Sequence, residues 1–117
     1  MHELSISCAI VDTAVRHAEG RKVTAVHVRA GQLRQVVPEA LTFNFELVSR
    51  ETVCEGARLD LQLVQAILRC RPCRREWTID VPLFRCPTCG GSDVDVIAGE
   101  ELQVESIDVE EEAVCTA

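Results

Sequence analysis

The sequence predicts an α+β domain: a small mixed sheet of about three strands packed with two helices, into which a four-cysteine, zinc-ribbon-like module is inserted. Three observations predict it. Apolar residues recur at helical spacing in two stretches and alternate with polar ones in three others. Between the second and third alternating stretches lies a segment of different character, rich in cysteine, arginine and proline. The chain has 117 residues, enough for one compact domain that carries a small insert.

Residues 4–19 read as the first helix. Leu4, Cys8, Val11, Val15 and Ala18 make one apolar stripe, and Gly20 is placed to end it. Residues 23–30 alternate, with Thr24, Val26 and Val28 on one side and Ala25, His27 and Arg29 on the other, as in a half-buried strand closed by Gly31. Pro38 and Glu39 suit the first turn of a second helix, since proline is tolerated there and an acid favours the helix dipole. Its buried face would hold Leu41, Phe45 and Val48. A second strand is expected over residues 57–65, with Leu59, Leu61 and Leu63 alternating against Arg58, Asp60 and Gln62. A third runs over 101–109, where the apolar phase slips by one residue near Ser106, the sign of a bulge. The organisation follows: residues 1–65 and 99–117 form the α+β domain and 66–98 the inserted metal module.

Composition narrows the function. Aromatic residues make up only 3% of the chain, so the core must be built from Val, Leu, Ile and Ala, and a metal staple would support a domain of this size. The net charge is −7 and unevenly spread: from Asp93 onward there are nine acidic residues and no Lys or Arg. Glu110, Glu111 and Glu112 form a short run read as a solvated tail. So acidic a chain with so few aromatics is a poor partner for nucleic acid. No stretch approaches the length of a membrane span and no secretory pattern opens the chain, so the expectation is a cytoplasmic protein without membrane attachment.

Seven cysteines in such a chain favour metal over disulfides. Cys70-Arg71-Pro72-Cys73, then twelve residues, then Cys86-Pro87-Thr88-Cys89-Gly90-Gly91 is a strong pattern. Two residues between cysteines let both thiolates of a turn point at one ion, and two such turns complete a tetrahedron. Gly90 permits the backbone twist that follows a metal-holding turn. Arg69, Arg71, Arg74, Arg75 and Arg85 would offset the thiolate charge. Spacing alone does not choose the metal, and iron is the alternative. Zinc is favoured because the aromatic packing usual around a rubredoxin-type iron is missing. Four thiolates leave no open coordination position, so the site should organise structure.

The chain begins Met1-His2-Glu3-Leu4. The bulky His2 should keep Met1 in place. The free amine of Met1, the imidazole of His2 and deprotonated amides of His2 and Glu3 would then form a nitrogen-rich, roughly planar set suited to Ni²⁺ or Cu²⁺. Taken with a Pro-Glu-Ala-Leu helix start at 38–41, a Glu-Gly-Ala segment at 55–57 and the paired cysteine module, this start closely resembles the HypA/HybF family of nickel metallochaperones. The resemblance runs from Met1 to about Val109. It implies Ni(II) as cargo bound by Met1, His2 and Glu3, and structural Zn(II) on Cys70, Cys73, Cys86 and Cys89. It also implies delivery to nickel–iron hydrogenase, with urease as a further client of some relatives. The implied partners are a GTPase of the hydrogenase maturation pathway and the hydrogenase large-subunit precursor, with a homodimer also compatible.

The remaining candidates take blander readings. His17 is off the apolar stripe and solvated. His27 awaits a cross-strand partner. Cys8 packs as a small hydrophobe. Cys54 lies in a loop with no base beside it, Cys115 in the tail, and Trp77 packs over the module. No nucleophile, base and open metal position converge, so an enzyme is not expected, and no phosphate-binding loop is present. The alternative function is a zinc-ribbon interaction or regulatory module without nickel.

Overall fold

The structure, a computed structural model, describes residues 3–79 and 84–110. Met1, His2 and the tail with Cys115 lie outside the described residues. Among those described, no helix is long and apolar enough to cross a membrane. The chain divides into two compact units. One takes the chain up to Arg29, Val36–Gln62 and the chain from Gln103. The other takes Ala30–Gln35 and Leu63–Leu102.

The first unit contains helix α1 (Glu3–Ala18) and helix α2 (Pro38–Val48), which pack against each other. Its sheet has the order β2-β1-β6, where β1 is Val23–Gly31, β2 Arg58–Val64 and β6 Leu102–Val109. α1 stops where Glu19 and Gly20 turn left-handed, at φ 53° and 82°. Leu41 and Phe45 of α2 are fully buried, each contributing roughly 1.5–3 kcal/mol by leaving water. They meet Val26 and Val28 of the central strand and, at the margin, Leu59, Leu61, Val104, Ile107 and Val109. The phase slip in β6 is present: Glu105 and Ser106 are consecutively exposed, with Val104 and Ile107 turned inward on either side.

Three expectations are corrected here, the first in β1, where Thr24 is exposed and Ala25 buried, so this central strand is not divided into the expected buried and polar faces. The buried face of α1 is Ser7, Ile10, Val11, Ala14 and Ala18. Only Val11 and Ala18 are shared with the expected stripe. Leu4, at 55% exposure, and Val15, at 38%, point outward with Cys8. The reason is close approach. Small residues (Ser7, Ala14, Ala18) let α1 sit tightly, and the Ser7 hydroxyl donates to the Leu41 carbonyl at 3.3 Å. In β2 the alternation fails at Leu63, which is 58% exposed, at the residue where the chain passes into the second unit.

The second unit is organised by its own three-stranded sheet, of order β4-β3-β5. Strand β3 (Ile67–Cys70) lies between β4 (Glu76–Thr78) and β5 (Val94–Ala98), antiparallel to both. These strands have three to five residues, too few for alternation to be read from sequence. Ala66, Leu68 and Ile79 form a small core, with Leu33, Trp77 and Val96 against it. The segment Ala30–Gln35, with its short 3₁₀ turn Gln32–Arg34, is tied into this unit by long-range bonds. The Gln32 side chain donates to the Ile79 carbonyl at 2.6 Å and accepts from the Ala66 amide at 2.8 Å. Gly31 is needed for contact. A Cβ there would lie 2.0 Å from the Gly99 carbonyl oxygen.

Candidate metal centre

Two backbone loops of the same design carry the four cysteines. In the first, the Arg74 amide donates to the Cys70 carbonyl at 2.8 Å and the Cys70 amide to the Arg75 carbonyl at 2.8 Å. In the second, the Gly90 amide donates to the Cys86 carbonyl and the Cys86 amide to the Gly91 carbonyl, both at 2.9 Å. The residue after each second cysteine is left-handed: Arg74 at φ 58° and Gly90 at φ 72°. The loops are thus internally equivalent, except that one uses glycine at the left-handed position and the other arginine.

The loops face each other. Cys70 Sγ lies 3.6 Å from Cys89 Sγ, Cys73 Sγ lies 3.5 Å from Cys86 Sγ, and all four sulfurs fall within 4.8 Å of one another. A disulfide needs about 2.05 Å, so these are non-bonded contacts. Zinc–sulfur bonds of about 2.3 Å at tetrahedral angles place sulfurs about 3.8 Å apart, so the donor set fits a tetrahedral ion. Cys70 and Cys86 are buried, whereas Cys73 and Cys89 are exposed. The Cys86 thiol, facing the backbone amides of Cys89 and Thr88, is brought down to about 6. Cys70 also receives the Cys73 amide, yet burial and the three neighbouring thiols push it up to about 12. Four thiolates cannot ionise side by side without a cation, and a divalent ion would remove that obstacle.

Around the cluster the arginines divide. Arg69 pairs with Glu76, and Arg71 with Asp95 at 2.6 Å and Asp93 at 3.4 Å. Asp95 is held below its ordinary range by the Arg71 guanidinium. Arg74, Arg75 and Arg85 have no side-chain partner among the described residues. The general offset expected of all five is therefore local pairing for two of them.

At the other expected site, Met1 and His2 are outside the described residues. Glu3 occupies the first turn of α1, and its carboxylate accepts the Val37 amide at 3.5 Å, beside the start of α2. His17 is exposed, as expected, with Nδ1 on the Thr13 carbonyl at 2.8 Å. Cys54 is fully buried in the first unit, and burial pushes its thiol up. Trp77 packs beside the core of the second unit. His27 has its cross-strand partners: Nδ1 lies 2.9 Å from Asp60 and Nε2 2.9 Å from Asp108. Asp108 and Asp60 raise the imidazole above its ordinary range. Both nitrogens are occupied, so His27 is no free metal ligand.

Fold and cluster together define a small two-unit α+β protein with a closed four-thiol centre. Residues 1–109 match the family model described as hydrogenase/urease nickel incorporation, metallochaperone, hypA. The chain belongs to the HypA family. It is similar to the hydrogenase maturation factor HypA of Geotalea uraniireducens (strain Rf4), 46% identical over 110 residues, covering 94% of this chain and 100% of the relative. It is likewise similar to that of Geobacter sp. (strain M21), 44% identical over 110 residues, covering 94% of this chain and 100% of the relative. The solution structure of the Ni metallochaperone HypA from Helicobacter pylori shares the fold, with a TM-score of 0.67 at 24% identity over 93% of this chain and 97% of that one. The family is one of maturation factors for nickel enzymes.

Proposed function

We propose that this chain binds Ni(II) through Met1, His2 and Glu3 and delivers it to nickel–iron hydrogenase during maturation. The observation that carries the reading is the family match over residues 1–109, which includes the Met-His-Glu start. The match to a hydrogenase and urease family also supports urease as a second client. In this reading the first part of the chain, residues 1–65 and 99–117, handles nickel, and 66–98 handles zinc. The partners are the pathway's GTPase and the hydrogenase large-subunit precursor, met in the cytoplasm.

The chemistry follows from the donor types. A site with one side-chain imidazole and a terminal amine sits at the end of the chain, where a partner can remodel it. Amine and imidazole must be deprotonated to bind, so acidification loosens the site and favours release. Glu3 contributes its amide from the first helical turn, leaving its carboxylate to accept the Val37 amide at 3.5 Å. Cys70, Cys73, Cys86 and Cys89 would hold Zn(II), which would cross-link the two loops and supply no chemistry to the cargo. Their sulfur geometry supports this assignment.

The test is calorimetric nickel titration of untagged, zinc-loaded protein beside His2→Ala. Nickel binding of micromolar strength or tighter should vanish in the variant while zinc and fold persist. Stoichiometric nickel affinity retained by the variant would sink the assignment.

A further inference from the structure

We propose that Arg74, Arg75, Arg85 and Phe84 form a docking surface for an acidic protein segment bearing an apolar side chain. The 3.5 Å contact between Cys73 and Cys86 brings two chain segments together. Arg74 and Arg75 follow the first of these cysteines, and Phe84 and Arg85 precede the second. All four are exposed, Phe84 at 41%. Three guanidiniums without a side-chain partner among the described residues, on the same pair of cysteine segments as an exposed aromatic ring, match the composition that dominates protein interfaces.

Charge bookkeeping distinguishes these arginines from simple balance. The second unit carries six basic and six acidic residues, so it is neutral while the rest of the chain bears the whole deficit of −7. Within the unit, Glu76, Asp93 and Asp95 are taken by Arg69 and Arg71. The remaining positive charge is concentrated at the cysteine loops. Arg74 holds φ 58° where the equivalent loop has Gly90. An acidic peptide fits better than a nucleic acid, because a chain with a net charge of −7 repels a long polyanion more than a short acidic segment.

The probe is a fluorescently labelled peptide, Glu-Glu-Leu-Glu-Glu-Leu-Glu-Glu, titrated at low salt with full-length, zinc-loaded protein. The controls are the same peptide with Gln for every Glu and a labelled single-stranded oligonucleotide. The acidic peptide should bind, and R74Q/R75Q/R85Q should weaken it about tenfold, the sum of three partly exposed pairs. Phe84→Ala should weaken it about threefold with zinc content unchanged. The proposal fails if the triple variant binds the peptide as well as the parent does. It fails equally if the oligonucleotide binds more tightly through the same arginines, or if the triple variant loses its zinc, since the arginines would then serve the metal.

Discussion

Gly31→Ala tests how the chain positions its cysteine loops. The added methyl would lie 2.0 Å from the Gly99 oxygen, 2.1 Å from the Gly99 carbonyl carbon and 2.6 Å from the Glu100 nitrogen. All three are backbone atoms, so no side chain can swing aside. An ordinary carbon–oxygen contact of about 3.2 Å requires the two backbones to separate by more than 1 Å, which overpacking data price at about 1–3 kcal/mol. The same movement strains the Gly31 amide bond to the Glu101 carbonyl, at 2.6 Å, and the Leu33 amide bond to the Gly99 carbonyl, at 2.8 Å. Each is worth about 1 kcal/mol net, so the total loss is about 3–5 kcal/mol. Because Ala30–Gln35 belongs to the second unit, the damage should reach the cysteines. The assays are thermal unfolding and the rate of zinc transfer to a chromophoric chelator. A variant that melts with the parent and gives up zinc at the parental rate would refute the claimed close approach.

Three further outcomes follow from the same geometry. Gly90→Ala should cost about 1–2 kcal/mol from its φ alone, since nothing lies within 4 Å of the added Cβ; denaturant titration measures it, and a cost above that of Gly31→Ala would contradict the reading. Cys73→Ser should reduce the zinc content measured by atomic absorption and unfold the second unit, whose described core of Ala66, Leu68 and Ile79 is small, while the helical circular dichroism of α1 and α2 persists. His27 is raised by Asp108 and Asp60, so its bridge stabilises the fold below the ordinary imidazole value of 6.5 and that contribution is lost as pH rises through the raised value. The melting-temperature gap between the parent and His27→Gln should accordingly be wider at about pH 6 than at about pH 8, and a constant gap would remove His27 from the account.

Much of the architecture was legible because it is local. The spacing of Cys70 and Cys73, and of Cys86 and Cys89, requires only that each turn close on itself, and both do so through bonds within five residues. The start of α2 at Pro38 and the end of α1 at Gly20 are likewise decided by the backbone preferences of a few neighbours. Even the phase slip near Ser106 is written in consecutive side chains.

What the tertiary structure alone decided are choices between equivalent local options. α1 offers two apolar faces, and the sequence periodicity favoured Leu4, Cys8 and Val15. Packing against α2 selected the side where Ser7 and Ala14 permit close approach. Five arginines looked alike until Glu76, Asp93 and Asp95 claimed two of them. Gly31 read as a strand terminator, and its real constraint is the backbone of Gly99, far along the chain. His27 found Asp108 at a separation of 81 residues. The sequence by itself determined which four cysteines could come together and where the helices and main strands lie, because those depend on spacing and backbone conformation over a few residues. Only the folded chain decided which faces are buried, which charges are paired and which glycine cannot change, because each depends on atoms brought together from distant parts of the sequence.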